Sequence, residues 1–314
     1  MSAHLAPLSA TAWEAHTPAA VADAFLAETR PALEARLAEE CELLGRPLGR
    51  LADVLAVAIG TDGRGGARWR PLLVLAAAFA PHGARAGGAA LDAAVAVELT
   101  HTASLVLDDL PCMDDASMRR GLPATHQLVG SAGAILLSVG LLSRAVELLG
   151  REPRCGGALC AEWGRAVGLA GMAGGQAMDV KAPPAGLRGA ERRLHRAKSA
   201  ALPAFALSAG ARIGGASERA RAGLEAFGRG LGWAYQLLDD AEDRDEDARL
   251  GRAPAGARPV ARSARLLRSA LHRLAQLDDL DEGGLEILTG LAARVVPERA
   301  AAARHATGAA DGSA

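Results

Sequence analysis

The chain has 314 residues, about twice the common size of one domain but still within reach of a single large helical unit. Lys and Arg number 35 against 36 Asp and Glu, a net charge of -1, which excludes the broad positive field that would gather nucleic acid or an anionic membrane surface. Hydrophobic residues are 50% and charged residues 23%, the make-up of a folded body, while aromatics at only 3% with abundant Ala and Gly favour closely packed helices over sheet.

In chain order, apolar periodicity predicts helices over Ala19–Leu44, Ala89–Asp109, Ala132–Leu149, Ala158–Met178, Arg192–Ile213 and Arg219–Asp243. Gly and Pro cluster at Gly63–Gly66, Pro81–Gly88, Glu152–Gly157, Ala182–Gly189 and Gly251–Pro259, and none of these breaks reads as a domain linker. One domain over residues 1–314 is therefore expected, with loose tails at about 1–17 and 299–314, where the periodicity stops. Met1–His16 has no basic segment followed by an apolar core, so no secretory signal is read and a cytoplasmic location is expected. The most apolar stretch, Val129–Leu142, is interrupted by Gly and Ser and stops at Arg144, so no membrane span is expected. Cys41, Cys112, Cys155 and Cys160 lack paired C-x-x-C spacing and read as free thiols.

Two acidic clusters stand out. Asp108, Asp109, Asp114 and Asp115 end an otherwise apolar helix within LVLDDLPCMDDASMRRG, and Asp239, Asp240 and Asp243 follow GLGWAYQLL at the end of another. Carboxylates so placed repel one another and lose solvation on burial, so they need bulk water or cations. For the first cluster alone, a solvated helix end with a salt-bridged turn explains the pattern equally well. Asp239 and Asp243 are four apart, on one helical face about 6 Å apart along the axis, a spacing suited to sharing hard cations. Asp108 and Asp114 are six apart and face different ways on an unbroken helix, so Pro111 is expected to open the helix and swing Asp114 back. Carboxylate ligands without His or Cys at ligand spacing point to Mg2+ that keeps several waters and meets substrate phosphates.

HTASLVLDDLPCMDDASMRRGLPATH and YQLLDDAEDRDED resemble the two aspartate-rich motifs of the trans-polyprenyl diphosphate synthases. GGARWRP, GGQAMD and LHRAKSAALPAFAL resemble three further signatures of that family, and all five stand in the family's order over roughly residues 20–295. The first motif, DDxPCMDDAxxRRG, is similar to that of bacterial geranylgeranyl diphosphate synthases. The resemblance implies an all-α, isoprenoid-synthase-like helical bundle around a deep apolar cavity, acting as a homodimer on isopentenyl diphosphate and allylic prenyl diphosphates. It implies that Asp108, Asp109, Asp114, Asp239, Asp240 and Asp243 hold Mg2+. Arg119 then contacts the allylic diphosphate, and Arg70, His101 and Arg120 contact isopentenyl diphosphate. Lys198 with Ser199, and Gln236, present polar groups near the reacting carbons; Gln176 and Asp179 are weaker candidates.

Three positions depart from the family pattern. Ala67 stands where a Lys grips isopentenyl diphosphate, with Arg68 as the expected substitute; only Arg249, Arg252 and Arg258 could replace lysines expected after the second motif; and Ser199 replaces Thr. Small Ala103 and Ser104 beneath Asp108 leave the cavity open for another isoprene unit, and the inserted Pro111-Cys112, which resembles the first motif of geranylgeranyl-forming enzymes, makes C20 the expected product. A terpene synthase on the same fold, ionising a prenyl diphosphate without isopentenyl diphosphate, is the alternative that Ala67 and the missing lysines favour. A non-catalytic partner subunit is disfavoured by two intact aspartate motifs.

Overall fold

A computed structural model describes residues 17–49, 51–63, 65–84, 87–181, 189–249 and 258–295, with backbone alone for 181, 190–196, 240–249 and 258–259. Residues 1–16 and 299–314 of the expected loose tails, and Arg252, lie outside the described residues, while Thr17 caps α1. Helices α1 (Pro18–Gly45), α2 (Leu51–Ile59), α3 (Trp69–Phe79), α4 (Gly87–Asp108), α5 (Thr125–Gly150), α6 (Gly156–Val167), α7 (Met172–Lys181), α8 (Ala190–Ile213), α9 (Glu218–Arg249), α10 (Arg258–Leu274) and α11 (Glu282–Val295) build the fold. Its sheet is a two-residue-strand hairpin, β1 (Met118–Arg119) paired antiparallel with β2 (Leu122–Pro123). The all-α expectation holds.

At the centre lies α4, buried from Ala90 to Val106 on nearly every side and packed against α1, α3, α5 and α8. Small side chains make this possible. Gly210 on α8 passes so close to α3 that an added Cβ would stand 2.1 Å from the Val74 carbonyl oxygen. Aromatic residues are scarce because there is little space between such helices for rings.

Four helices, α2, α3, α10 and α11, lie outside the predicted segments, and α6 and α7 share one predicted helix. Helix α3 is buried from Pro71 to Phe79, so it has no polar face from which a helical period could be read. Pro71 falls in its first turn, where a missing N–H leaves no bond unmade. In α10 the core stripe is only Ser263, Leu267, Ala270 and Leu274, set among arginines. Ala158–Met178 is interrupted at Gly168–Gly171 between α6 and α7. Arg144, read as the end of an apolar run, lies within α5. Its guanidinium is buried in a two-pronged pair with Glu40 of α1, at 2.7 and 2.9 Å, so the helix continues through it. By length and composition alone α4 and α5 could each cross a membrane; α4 is mostly enclosed by other helices, while α5 leaves Leu128, Ile135, Leu136 and Val139 exposed.

Candidate active site

Helix α4 ends at Asp108, and the chain then folds back on itself. The Asp114 N–H donates to the Asp108 carbonyl at 2.9 Å, and the Asp115 N–H to the Leu110 carbonyl at 3.1 Å, across the turn that holds Pro111. This is the reversal the proline was expected to impose. It brings exposed Asp114 close enough to Asp108 to act on its charge.

Below Asp108 opens an apolar cavity of about 530 Å³, with Asp108, Asp239, Lys198 and Gln236 at its polar end and Ser104, Leu105, Leu142 and Met172 along its wall. Burial pushes the Asp108 carboxyl up to about 6, with Asp114 and Asp109 adding to the effect and Lys198 and Arg119 opposing it. Burial alone would weaken the charge on Lys198, but its 2.6 Å bond to Asp179 and the nearby Asp108 and Asp114 outweigh that and hold its pKa above the ordinary value. The Ser199 hydroxyl donates to the Gln236 side-chain oxygen. Gln176 also lines the cavity, and both its amide atoms are buried without a partner among the described residues. That makes it a stronger candidate than its place in a glycine-rich turn suggested.

Three sequence expectations change. Asp109 does not face the cavity. It is 2% exposed and grips Arg119, whose Nε lies 3.1 Å from both carboxylate oxygens. One residue along a helix turns a side chain by about 100°, and here that turn carries Asp109 away from the mouth and onto Arg119. Asp109 thus leaves the metal set, and Arg119 reaches the site already committed to a carboxylate. The same rotation separates Ala103 from Ser104. Ala103 is fully buried against α5, its carbonyl accepting from the Ser138 hydroxyl at 3.4 Å, and only Ser104 lines the cavity.

The donors that remain, Asp108 and Asp114 on one side and Asp239 on the other, fit a hard divalent cation. They are oxygen ligands, and the raised Asp108 pKa shows how poorly this place holds uncompensated negative charge. Among the described residues no three acidic, His or Cys side chains already converge as a closed metal cage. The side chains of Asp240 and Asp243 lie outside the described set, as do those of Arg249 and Arg258.

A second pocket of about 380 Å³ adjoins the first and shares Arg70 and His101 with it. Arg70 lies over the Trp69 ring at 4.3 Å and near that of Tyr235 at 5.6 Å. Burial, together with the charges of Arg70, Arg120, Arg119 and Arg68, holds His101 well below the usual histidine range. Neutral His101 therefore accepts at Nε2 from Arg70 Nη1, 3.0 Å away. Arg120 and Gly121 both have positive φ, 52° and 77°, as a two-residue hairpin turn between β1 and β2 requires. From that turn the Arg120 guanidinium reaches Gly66, where an added Cβ would stand 2.8 Å from Nη2.

Arg68 is the third correction. It does not substitute for the lysine absent at 67. Its side chain is fully buried and bonds Glu98 at 2.5 Å, Glu34 at 3.2 and 3.3 Å, and the Ile59 and Gly60 carbonyls at 2.7 and 2.9 Å. Nothing on it is left for a ligand. Two further cations line this pocket, Arg30 of α1 and Arg294 of α11, which belong to no motif and meet the site only through folding.

Residues 55–253 match the polyprenyl synthetase family. The chain is 37% identical to a farnesyl diphosphate synthase of Geobacillus stearothermophilus over 226 residues, 70% of this chain and 74% of that one. It is 42% identical to a geranylgeranyl diphosphate synthase of Pseudescherichia vulneris over 188 residues, 57% of this chain and 60% of the relative's length. An apo crystal structure of an FPP/GFPP synthase from Zymomonas mobilis superposes with a TM-score of 0.63 at 27% identity, over 84% of this chain and 99% of that one. A geranyltransferase from Helicobacter pylori gives 0.66 at 27%, over 84% and 98%. The chain belongs to the polyprenyl synthetase family and is a trans-prenyltransferase. Family members use isopentenyl and allylic diphosphates and are generally dependent on divalent metal.

Proposed function

We propose that this prenyltransferase condenses isopentenyl diphosphate with an allylic prenyl diphosphate and releases mainly the C20 product, geranylgeranyl diphosphate. The observation that carries this reading is the pair of adjoining pockets, one apolar with carboxylates at its mouth and one basic, meeting at Arg70 and His101. A terpene synthase that ionises a single prenyl diphosphate has no use for the second pocket.

Asp108, Asp114 and Asp239, with Asp240 and Asp243, would hold Mg2+, which when bound neutralises the charge gathering on the departing diphosphate. Lys198 stays protonated and adds a fixed positive charge beside Asp108. The allylic C1–O bond breaks, the isopentenyl double bond attacks C1, and a proton leaves the new cation. The cavity wall keeps water from that cation, and Gln236 and Ser199 offer polar atoms at its polar end.

Support for C20 comes from Ser104, which is small and leaves the cavity open past the first turn beneath Asp108. Thr100, two turns down and about 12 Å along α4, lines the same cavity and is pinned by the Trp163 indole N–H at 2.9 Å. The exposed apolar face of α5 supports a homodimer, since Leu136 and Val139 are 69% and 53% open to solvent. The test is purified protein with Mg2+, labelled isopentenyl diphosphate and each allylic primer, with products extracted before and after phosphatase. C20 alcohol appearing only after phosphatase supports the proposal. Hydrocarbon formed without phosphatase and without incorporated label refutes it.

A further inference from the structure

We propose that Arg30 and Arg294 supply the positive charge that Ala67 lacks, so that the second diphosphate is gripped from α1 and α11 instead of from the loop before α3. This rests on the two-substrate reading above and adds residues to it that lie outside every motif.

A diphosphate monoester carries several negative oxygens and needs more than one cationic donor. Arg70 and Arg120 face the second pocket, but Ala67 brings no charge and Arg68 is spent on Glu34, Glu98 and two carbonyls. Arg30 lies beside the gap. Its Nη2 donates to the Gly66 carbonyl at 3.2 Å, next to the missing lysine, and its side chain is half exposed. The carboxylate it meets, Glu34, is 3.9 Å away and already binds Arg68 more closely, so Arg30 is weakly held.

Arg294 lines the same pocket from α11, which packs along α1. Its Nη2 pairs with Asp23, but its Nε–H is buried with no partner among the described residues. A buried donor left unmade carries a desolvation cost that a phosphate oxygen would remove. Two guanidinium forks on neighbouring helices thus stand in for one ammonium on a loop. They also present paired N–H groups to a phosphate, which a lysine does not.

The test measures isopentenyl diphosphate binding by calorimetry, and the KM for each substrate, in wild type and in Arg30→Gln, Arg294→Gln, Arg294→Lys and Asp23→Asn. Each Gln variant should weaken isopentenyl diphosphate binding and raise its KM by roughly tenfold, the loss of one charge-assisted contact, with the allylic KM within about twofold of wild type. Arg294→Lys should keep most of the affinity. Asp23→Asn removes the ion pair without touching the pocket and should leave the KM unraised; a rise matching Arg294→Gln would make Arg294 merely structural and overturn its part. Adding Ala67→Lys to Arg30→Gln should restore most of the lost affinity. Unchanged isopentenyl diphosphate binding in both Gln variants, with wild type binding normally, would overturn this inference alone. Wild type that neither binds nor turns over isopentenyl diphosphate would remove the two-substrate reading and this inference together.

Discussion

Arg68→Met separates the two roles this arginine could have. Arg68 is 3% exposed and Glu98 is also 3% exposed, so removing the guanidinium strands a carboxylate in the core. Breaking a buried pair in this way costs about 3–5 kcal/mol. Glu34 is about one-third exposed, and its share is small once solvent screens it. The Ile59 and Gly60 carbonyls lose a donor as well, which places the loss toward the upper end of that range. For a chain of this length a kcal/mol is worth roughly 2 °C in Tm, so the variant should melt roughly 6–10 °C lower. Arg68→Met/Glu98→Met, which removes both charges, should regain most of that loss. Thermal unfolding by circular dichroism, with KM values measured well below the transition, decides the matter. A Tm within 2 °C of wild type together with a raised KM for isopentenyl diphosphate would refute the structural role and return Arg68 to the lysine's place.

Ser104→Phe fills the wall one turn beneath Asp108, so chromatography of dephosphorylated products should show C15 replacing C20; unchanged C20 would put the length-setting residue elsewhere. EDTA should abolish turnover, and Asp108→Asn or Asp239→Asn should lower kcat by roughly 100-fold or more, as measured with saturating Mg2+. Because the free Asp108 carboxyl titrates at about 6, a cation must displace its proton in acid. Apparent Mg2+ affinity should therefore fall by up to about tenfold per pH unit below that value and level off above it, a slope that Asp108→Asn should flatten. Leu136→Glu on the exposed face of α5 should lower the sedimentation coefficient of the proposed homodimer to that of a monomer, and an unshifted value would remove α5 as the interface.

What the sequence determined on its own is local. A carboxylate's need for a cation, a proline's refusal to continue a helix and the helical period follow from a few neighbouring residues. They were enough to place α1, α4, α8 and the start of α9, and the reversal at Pro111. Folding decided which way each side chain points and what it meets. Asp108 and Asp109 are adjacent, yet one faces the cavity and the other holds Arg119, because 100° of helix rotation separates them. Arg68 looked like a free cation until Glu34 and Glu98 arrived from 34 and 30 residues away. Arg30 and Arg294 belong to no motif and meet on one pocket only because α1 and α11 pack side by side. Long-range contacts carry no pattern along the chain, so these assignments belong to the tertiary structure alone.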